Sequence, residues 1–224
     1  MILSAKNLTK SFSSSEGKFY VFKNLSIKID KSDLITIMGP SGSGKSTLLN
    51  ILGTLDTFDD GSIVFDQKNI SDLNKDQISK IRNKNIGFVF QYHHLIPEFN
   101  AIENVLIPQQ IFGKKINEPY AKELLDYLGL SHRIKHYPAQ LSGGEKSRVA
   151  IARSLINKPA LIFADEPTGN LDLENAKKLV DLLKKINKDF EQSFVIATHD
   201  PQIASIGKIK YFLNKGTLST VDHV

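Results

Sequence analysis

Hydrophobic positions along the chain fall into short runs that alternate between two periods. Ile2 to Leu8 and Phe19 to Ile29 partly alternate apolar with polar residues, the period of a half-buried strand. "SFSSSEGK" between them reads as a short polar loop. Leu34 to Met38 is a continuous apolar run of buried-strand length; the helix that begins inside "GSGKSTLLNILG" is expected to stop at Gly53. Gly61 to Phe65 and Ile86 to Phe90 read as two further strands. From about Ala101 to Leu130 the period becomes helical, with Leu124, Leu125 and Leu128 on one face and Gly129 at the stop. Another helix runs from Gly143 or Gly144 to about Asn157, where Lys158-Pro159 ends it, because a residue before proline is pushed out of the helical region. Strand texture returns at Ala160 to Ala164, Phe194 to Thr198, Ile209 to Leu213 and Thr217 to Val221. Ala176, Leu179, Val180, Leu183, Ile186 and Phe190 mark a long amphipathic helix among them. Strands alternating with helices predict an α/β core on a mainly parallel sheet, with the helical middle inserted into it.

Composition narrows the class only modestly. The 224 residues suit one domain, or one with a subdomain. Cysteine is absent, which excludes disulfides and thiolate metal sites. "MILSAKNLTKSF" lacks a basic region followed by an apolar one, so no secretory signal is expected. The longest charge-free stretch, Asn85 to Pro97, has 13 residues. A membrane-spanning helix needs about 20, so the chain is not expected to cross a membrane by itself. The net charge of +5 suits nucleic acid or acidic lipid as well as a Lys-rich solvated surface. No arginine-rich run or aromatic-interleaved basic stripe stands out, and no nucleic-acid partner is expected.

The chemistry is concentrated in short motifs. Gly39-Pro40-Ser41-Gly42-Ser43-Gly44-Lys45-Ser46, followed by Thr47, has the spacing G-x-x-x-x-G-K-[ST] between an apolar strand and a helix. The glycines let successive N–H groups turn inward toward phosphate oxygens, and the helix N-terminus adds partial positive charge. Lys45 is expected to reach the β- and γ-phosphates of ATP, and Ser46 to ligate Mg²⁺. In "ALIFADEPTGNLD" an apolar run ends in Asp165 and Glu166. Neighbours on a strand point to opposite sides, so the two acids are assigned separate jobs. Asp165 faces the metal, and Glu166 is the base that orients or deprotonates the attacking water. "QLSGGE" sets Ser142, Gly143 and Gly144 at a second helix start, a second set of anion donors. The first loop already surrounds one face of a bound triphosphate, so this set would have to approach from another molecule.

Beside the phosphate loop and the acid pair, "LSGGE" resembles the signature motif of ATP-binding cassette (ABC) ATPases, and the resemblance covers nearly the whole chain. It implies a P-loop NTPase core with an N-terminal antiparallel β subdomain and an inserted helical signature subdomain. The core would span about 1–91 and 156–224, and the insert about 92–155. It also implies two copies packed head to tail around two ATPs. Phe12 falls where such ATPases stack an aromatic ring on adenine, with Phe19 and Tyr20 as rivals. Gln91 matches the glutamine that contacts Mg²⁺ or water, Asp172 the aspartate that communicates across the dimer, and His199 the histidine that holds the γ-phosphate and the water. His132 and His136 are read as surface residues. After the signature this chain has "EKSR" where relatives more often carry "EQQR". Lys146 and Ser147 are placed beyond phosphate contact, so the departure bears on fine tuning.

"FQYHHLIPEFNAIENVLIP", Phe90 to Pro108, resembles the lipoprotein-releasing branch of the family, and His93-His94 leans the same way. "YPAQLSGGE" and "FADEPTGNLD" also suit the macrolide-efflux and cell-division branches. The resemblance implies two integral-membrane permease subunits as partners, lipoprotein as indirect cargo, and a peripheral position on the cytoplasmic face of the bacterial inner membrane. His93 and His94 are expected to line the groove between insert and core where a permease would dock.

Overall fold

The computed structural model describes residues 1–15, 17–111, 113 and 115–221. Its first feature is a long hairpin, β1 (Leu3–Ser14) and β2 (Gly17–Ile29), paired from Leu3↔Ile29 out to Ser14↔Gly17. Most of the stretch expected as a polar loop is therefore strand; Glu16 lies outside the described residues. Phe12 and Phe19 pair there while both remain exposed, so the backbone ladder continues where no face is buried. Asn7 and Asn24, at φ 53° each, absorb the irregularities, as asparagine tolerates this region better than most residues.

After β3 (Leu34–Met38) comes α1 (Lys45–Leu52), then β4 (Asp60–Phe65), β5 (Lys68–Asn69) and α2 (Lys75–Asn85). Gly53 does end α1, but at φ −83° it is not a left-handed cap; a Cβ there would lie 2.2 Å from Phe88 Cζ. The sequence pattern gave no sign of α2. None of its residues is buried, and its start is set by reciprocal hydrogen bonds between Asn74 and Gln77. β6 (Ile86–Phe90) follows as expected. The helical stretch from 101 to 130 divides into α3 (Ala101–Gln110) and α4 (Glu118–Tyr127), the latter capped by Asn117 with proline in its first turn; Phe112 and Lys114 lie outside the described residues. The chain closes with α5 (Gly143–Leu155), β7 (Leu161–Asp165), α6 (Leu173–Asp189), β8 (Ser193–Thr198), α7 (Pro201–Ala204), β9 (Ile209–Asn214) and β10 (Thr217–Thr220).

The strands form two sheets, antiparallel β2-β1-β4-β5 and six-stranded β10-β9-β3-β8-β7-β6, in which all pairs but β10-β9 are parallel. The mixed fold is α/β. Period-2 alternation divides the core between the faces of the six-stranded sheet. Ile162, Ala164, Phe194 and Ile196 face a cluster with Val149 and Leu155 of α5 and Leu179 and Leu183 of α6, together with α3 and α4. Leu161, Phe163, Val195 and Ala197 face the other way, onto α1 and the antiparallel sheet. Among the described residues no helix is long and apolar enough to cross a membrane. Because β3, β6, β7 and β8 run parallel, with Met38↔Thr198 and Phe90↔Asp165 in register, the residues that follow them emerge at one edge. Ligands of open α/β sheets bind at such an edge.

Candidate functional site: a phosphate loop on one face, a second glycine pair on another

The loop after β3 folds as the glycine spacing requires. Gly42 and Gly44 have φ 75° and 98°, where a side chain would be strained, and Gly44 is the N-cap of α1. At Gly39 a Cβ would lie 2.2 Å from Leu213 O, so the close approach of β9 also demands glycine. Lys45 is buried, and its Nζ donates to Gly39 O at 2.8 Å and Pro40 O at 3.1 Å. Its ammonium is thereby held over the loop, where phosphate oxygens would lie.

A cavity of about 800 Å³ opens over the loop. Pro40, Ser41, Gly42 and the run Gly44 to Thr47 line it, with Phe12, Phe19 and Val21 from the hairpin and Gln91, Glu166 and His199 from the strand ends. Gly39 and Ser43 belong to the same loop without lining the cavity. Phe12 and Phe19, directly paired across β1 and β2, both line it. Tyr20 does not; Lys23 Nζ lies 3.5 Å from the centre of its ring. Val21 was not foreseen from sequence, where it was one apolar residue of an alternating strand.

The two acids separate, but for a reason other than strand alternation. β7 ends at Asp165, and Glu166 has a left-handed backbone, φ 45°, its N–H donating to Ala197 O at 2.9 Å. Non-glycine residues in this region are held by their surroundings, often at functional sites. Glu166 Oε1 lies 2.9 Å from His199 Nδ1 and 3.8 Å from Lys45 Nζ, and Oε2 accepts from the His199 backbone N–H at 3.3 Å. Asp165 turns to the Ser46 hydroxyl. Burial raises its carboxyl above the usual range, with Glu166 adding to the rise and the Ser46 hydrogen bond opposing it. The Gln91 carbonyl accepts from Asn170 Nδ2 at 2.9 Å, and a Cβ on Gly169 would lie 2.7 Å from Gln91 Nε2. No motif announced the Asn170 contact.

Ser142, Gly143, Gly144 and Asp172 do not line this cavity. Ser142 caps α5, with Glu145 N–H donating to its Oγ and Ser142 N–H donating back to Glu145 Oε2 at 2.8 Å. Those contacts, then the Arg133 guanidinium at 2.8 Å, hold the Glu145 carboxyl down to about 2. Asp172 caps α6, and accepts from Asn175 Nδ2 at 2.6 Å. Asn175 Oδ1 in turn sits where a Cβ of Gly144 would come within 3.1 Å. The second glycine pair and the Asp172 turn thus form a unit of their own. His132 is exposed, and His136 Nε2 lies 3.1 Å from Arg133 Nη1.

The ABC transporter family model matches residues 22–169. This chain belongs to the ABC transporter ATPases. The cassette is 46% identical over 222 residues to the lipoprotein-releasing system ATP-binding protein LolD of Pseudoalteromonas translucida, covering 98% of this chain and 95% of the relative. With the LolD protein of Bacteroides fragilis it shares 49% identity over 203 residues, covering 90% and 92%. A dimeric structure of the bacterial ABC transporter cassette MJ0796 matches all of both chains at 39% identity and a TM-score of 0.88. A post-hydrolysis dimer of MJ0796, bound to ADP and phosphate, matches equally. The cassette is an ATP-binding, ATP-hydrolysing enzyme.

Whether its residues suit a divalent cation can be tested on the polar groups of the site. Asp165 Oδ1 is buried and has no hydrogen-bond partner among the described residues, in a carboxyl that burial has already made costly to ionise. A cation beside it would satisfy that oxygen and restore the charged form. With the Ser46 hydroxyl beside the Asp165 carboxyl, the site fits Mg²⁺, a hard cation that prefers carboxylate, hydroxyl and phosphate oxygens.

Proposed function

We propose that this cassette is the ATP-hydrolysing subunit of a lipoprotein-releasing transporter, acting as a head-to-tail dimer beneath two permease subunits. Near-full-length likeness to the LolD proteins carries this reading. Its place is peripheral, on the cytoplasmic face of the bacterial inner membrane. Residues of about 92–155 serve as the helical subdomain, and 1–91 with 156–224 as the nucleotide-binding core.

On this reading the site residues divide the work. The amides of the loop from Gly39 to Ser46, with Thr47, hold the phosphates, and Lys45 exchanges its bonds to the Gly39 and Pro40 carbonyls for bonds to them. Phe12 stacks the adenine, with Phe19 beside it. Ser46, Asp165 and Gln91 would hold Mg²⁺, which neutralises charge on the transferring phosphoryl group. Glu166 takes the proton of the attacking water. Its carboxylate is braced by the His199 imidazole, which also faces the γ-phosphate. Donors on one side of the nucleotide leave the other open. Ser142, Gly143 and Gly144, absent from their own chain's cavity, serve the nucleotide of the second copy, with Asp172 alongside. Binding of ATP then closes the pair, and hydrolysis with phosphate loss reopens it.

Capture of the cassette from detergent-solubilised membranes tests the transport assignment. Recovery of two permease subunits with large periplasmic domains, whose reconstitution with ATP releases a labelled lipoprotein, is the expected result. Recovery with a single fused permease and no lipoprotein release would move the cassette to the efflux branch.

A further inference from the structure

The turn after β6 carries two adjacent histidines with left-handed backbone, φ 60° at His93 and 46° at His94. Both carbonyls accept from one guanidinium: Arg153 Nη2 donates to His93 O at 2.5 Å and Nη1 to His94 O at 2.6 Å. The His93 ring is buried, and its Nε2 lies 2.7 Å from Ser147 Oγ. Ser147, fully buried, has its Oγ 3.1 Å from Gly143 O, the first residue of α5. A hydroxyl has one proton to give. When Ser147 gives it to Gly143 O, the imidazole must donate from Nε2, and the chain runs unbroken from ring to hydroxyl to carbonyl. Ser147 and Arg153 both belong to α5, about 9 Å apart along its axis at 1.5 Å per residue. The strained turn is therefore gripped twice by the helix that begins with Gly143 and Gly144. Two residues upstream of His93, Gln91 lines the nucleotide cavity of the same chain.

We propose that His93 is a positioning residue: through Ser147 it sets the orientation of the first turn of α5. The Gly143 and Gly144 amides are then aimed at the partner's nucleotide only while the turn from Gln91 to His94 is seated. The proposal rests on the reading that these amides serve the second copy. It gives the serine at 147, where the family pattern differs, a definite task. Of the two histidines, only His93 has the buried ring that reaches α5; the His94 ring packs edge-on against Phe90 instead, 5.1 Å between centres.

The test uses the full chain in a Glu166→Gln background for ATP-dependent dimerisation and in the parent for turnover. His93→Leu, Ser147→Ala, the double variant and His93→Gln are compared. Nucleotide affinity of the monomer is followed with a fluescent-labelled ADP, fold integrity by thermal unfolding. Losing one neutral hydrogen bond predicts that His93→Leu and Ser147→Ala each weaken dimerisation and lower kcat about three- to tenfold. Monomer affinity should hold. The double variant should be no worse than the worse single, and His93→Gln, which keeps a donor at the end of a longer side chain, should recover part of the loss. Ser147→Ala keeps a good helix former and guards against a His93 variant that merely unfolds. Independent, multiplying effects in the double variant, or a parallel fall in monomer affinity, would overturn the proposal. Gly144→Val separates the two levels. If that variant still dimerises with ATP, the reading of the glycine pair fails; if it does not while His93→Leu dimerises at the parent level, only the role of His93 fails.

Discussion

Glu166→Gln isolates the base from everything else the residue does. The amide is isosteric, tolerates the same left-handed backbone, and its oxygen can still accept from the His199 backbone N–H, now 3.3 Å from Oε2. Its NH₂ group would face His199 Nδ1 in place of Oε1, 2.9 Å away, and a neutral imidazole can accept there. What it cannot do is take a proton. A positioned general base contributes roughly 10²–10⁴ in rate, or about 3–5 kcal/mol of barrier. The same change removes a negative charge 3.8 Å from Lys45 Nζ, so that ammonium meets less competition for phosphate. Turnover should therefore fall by two to four orders of magnitude (about 10²–10⁴) while ATP affinity holds or tightens. ATP-loaded dimers should accumulate. Phosphate release at saturating ATP, equilibrium nucleotide binding and size-exclusion with light scattering read the three quantities separately. Hydrolysis at the parent rate would refute the assignment of the base; turnover and affinity falling together would make Glu166 a ground-state ligand.

Two further outcomes follow from the same geometry. Base stacking on an aromatic side chain is worth about 1–3 kcal/mol, so Phe12→Ala and Phe19→Ala should each loosen ATP about 5- to 150-fold. Tyr20→Ala should leave affinity unchanged, and an effect of Tyr20→Ala matching that of Phe12→Ala would reverse the choice of ring. The Glu145 carboxyl, held down to about 2, contributes stability that is present above its ordinary value near 4.5 and is lost as pH falls toward 2. Glu145→Gln, which keeps an oxygen for the Ser142 N–H but loses the charge facing Arg133, should thus be less stable than the parent at pH 7 by up to about 1 kcal/mol, and the two should converge in acid. Denaturant unfolding across that range checks it; a gap indifferent to pH would mean the charge plays no part.

How legible each feature was depends on how far its physics reaches along the chain. The phosphate loop was readable because a cradle of backbone amides has to be built from consecutive residues. Asp165, Glu166, Gln91 and His199 were readable because an apolar run announces a buried strand, and parallel strands deliver their ends to one edge. Where burial is missing, the pattern falls silent. The outer half of the β1–β2 hairpin pairs through backbone groups with Phe12 and Phe19 exposed, so there is no alternation to find. α2 has no buried residue, so nothing in the hydrophobic pattern marked it. The reason given for separating the two acids was likewise local, and the left-handed turn at Glu166 replaced it.

Position 147 shows the harder limit. Read along the chain, Ser147 is a polar residue one turn into a helix, beyond phosphate contact, and its departure from the family pattern bears only on fine tuning. In the fold it is fully buried, and its hydroxyl joins the imidazole of His93, 54 residues away, to the carbonyl of Gly143. A buried polar group without a partner is costly, and the Ser147 hydroxyl, itself bonded to Gly143 O, supplies the partner of His93 Nε2. Sequence periodicity cannot register a constraint of that kind, since it scores residues singly. The glycine pair and the phosphate loop differ in the same way. On the proposed reading, the loop binds phosphate with groups it carries itself, whereas Gly143 and Gly144, which do not line their own chain's cavity, gain an anion from a second molecule. If so, the contacts around those amides, through Ser147, Asn175 and Glu145, decide how well two copies fit together.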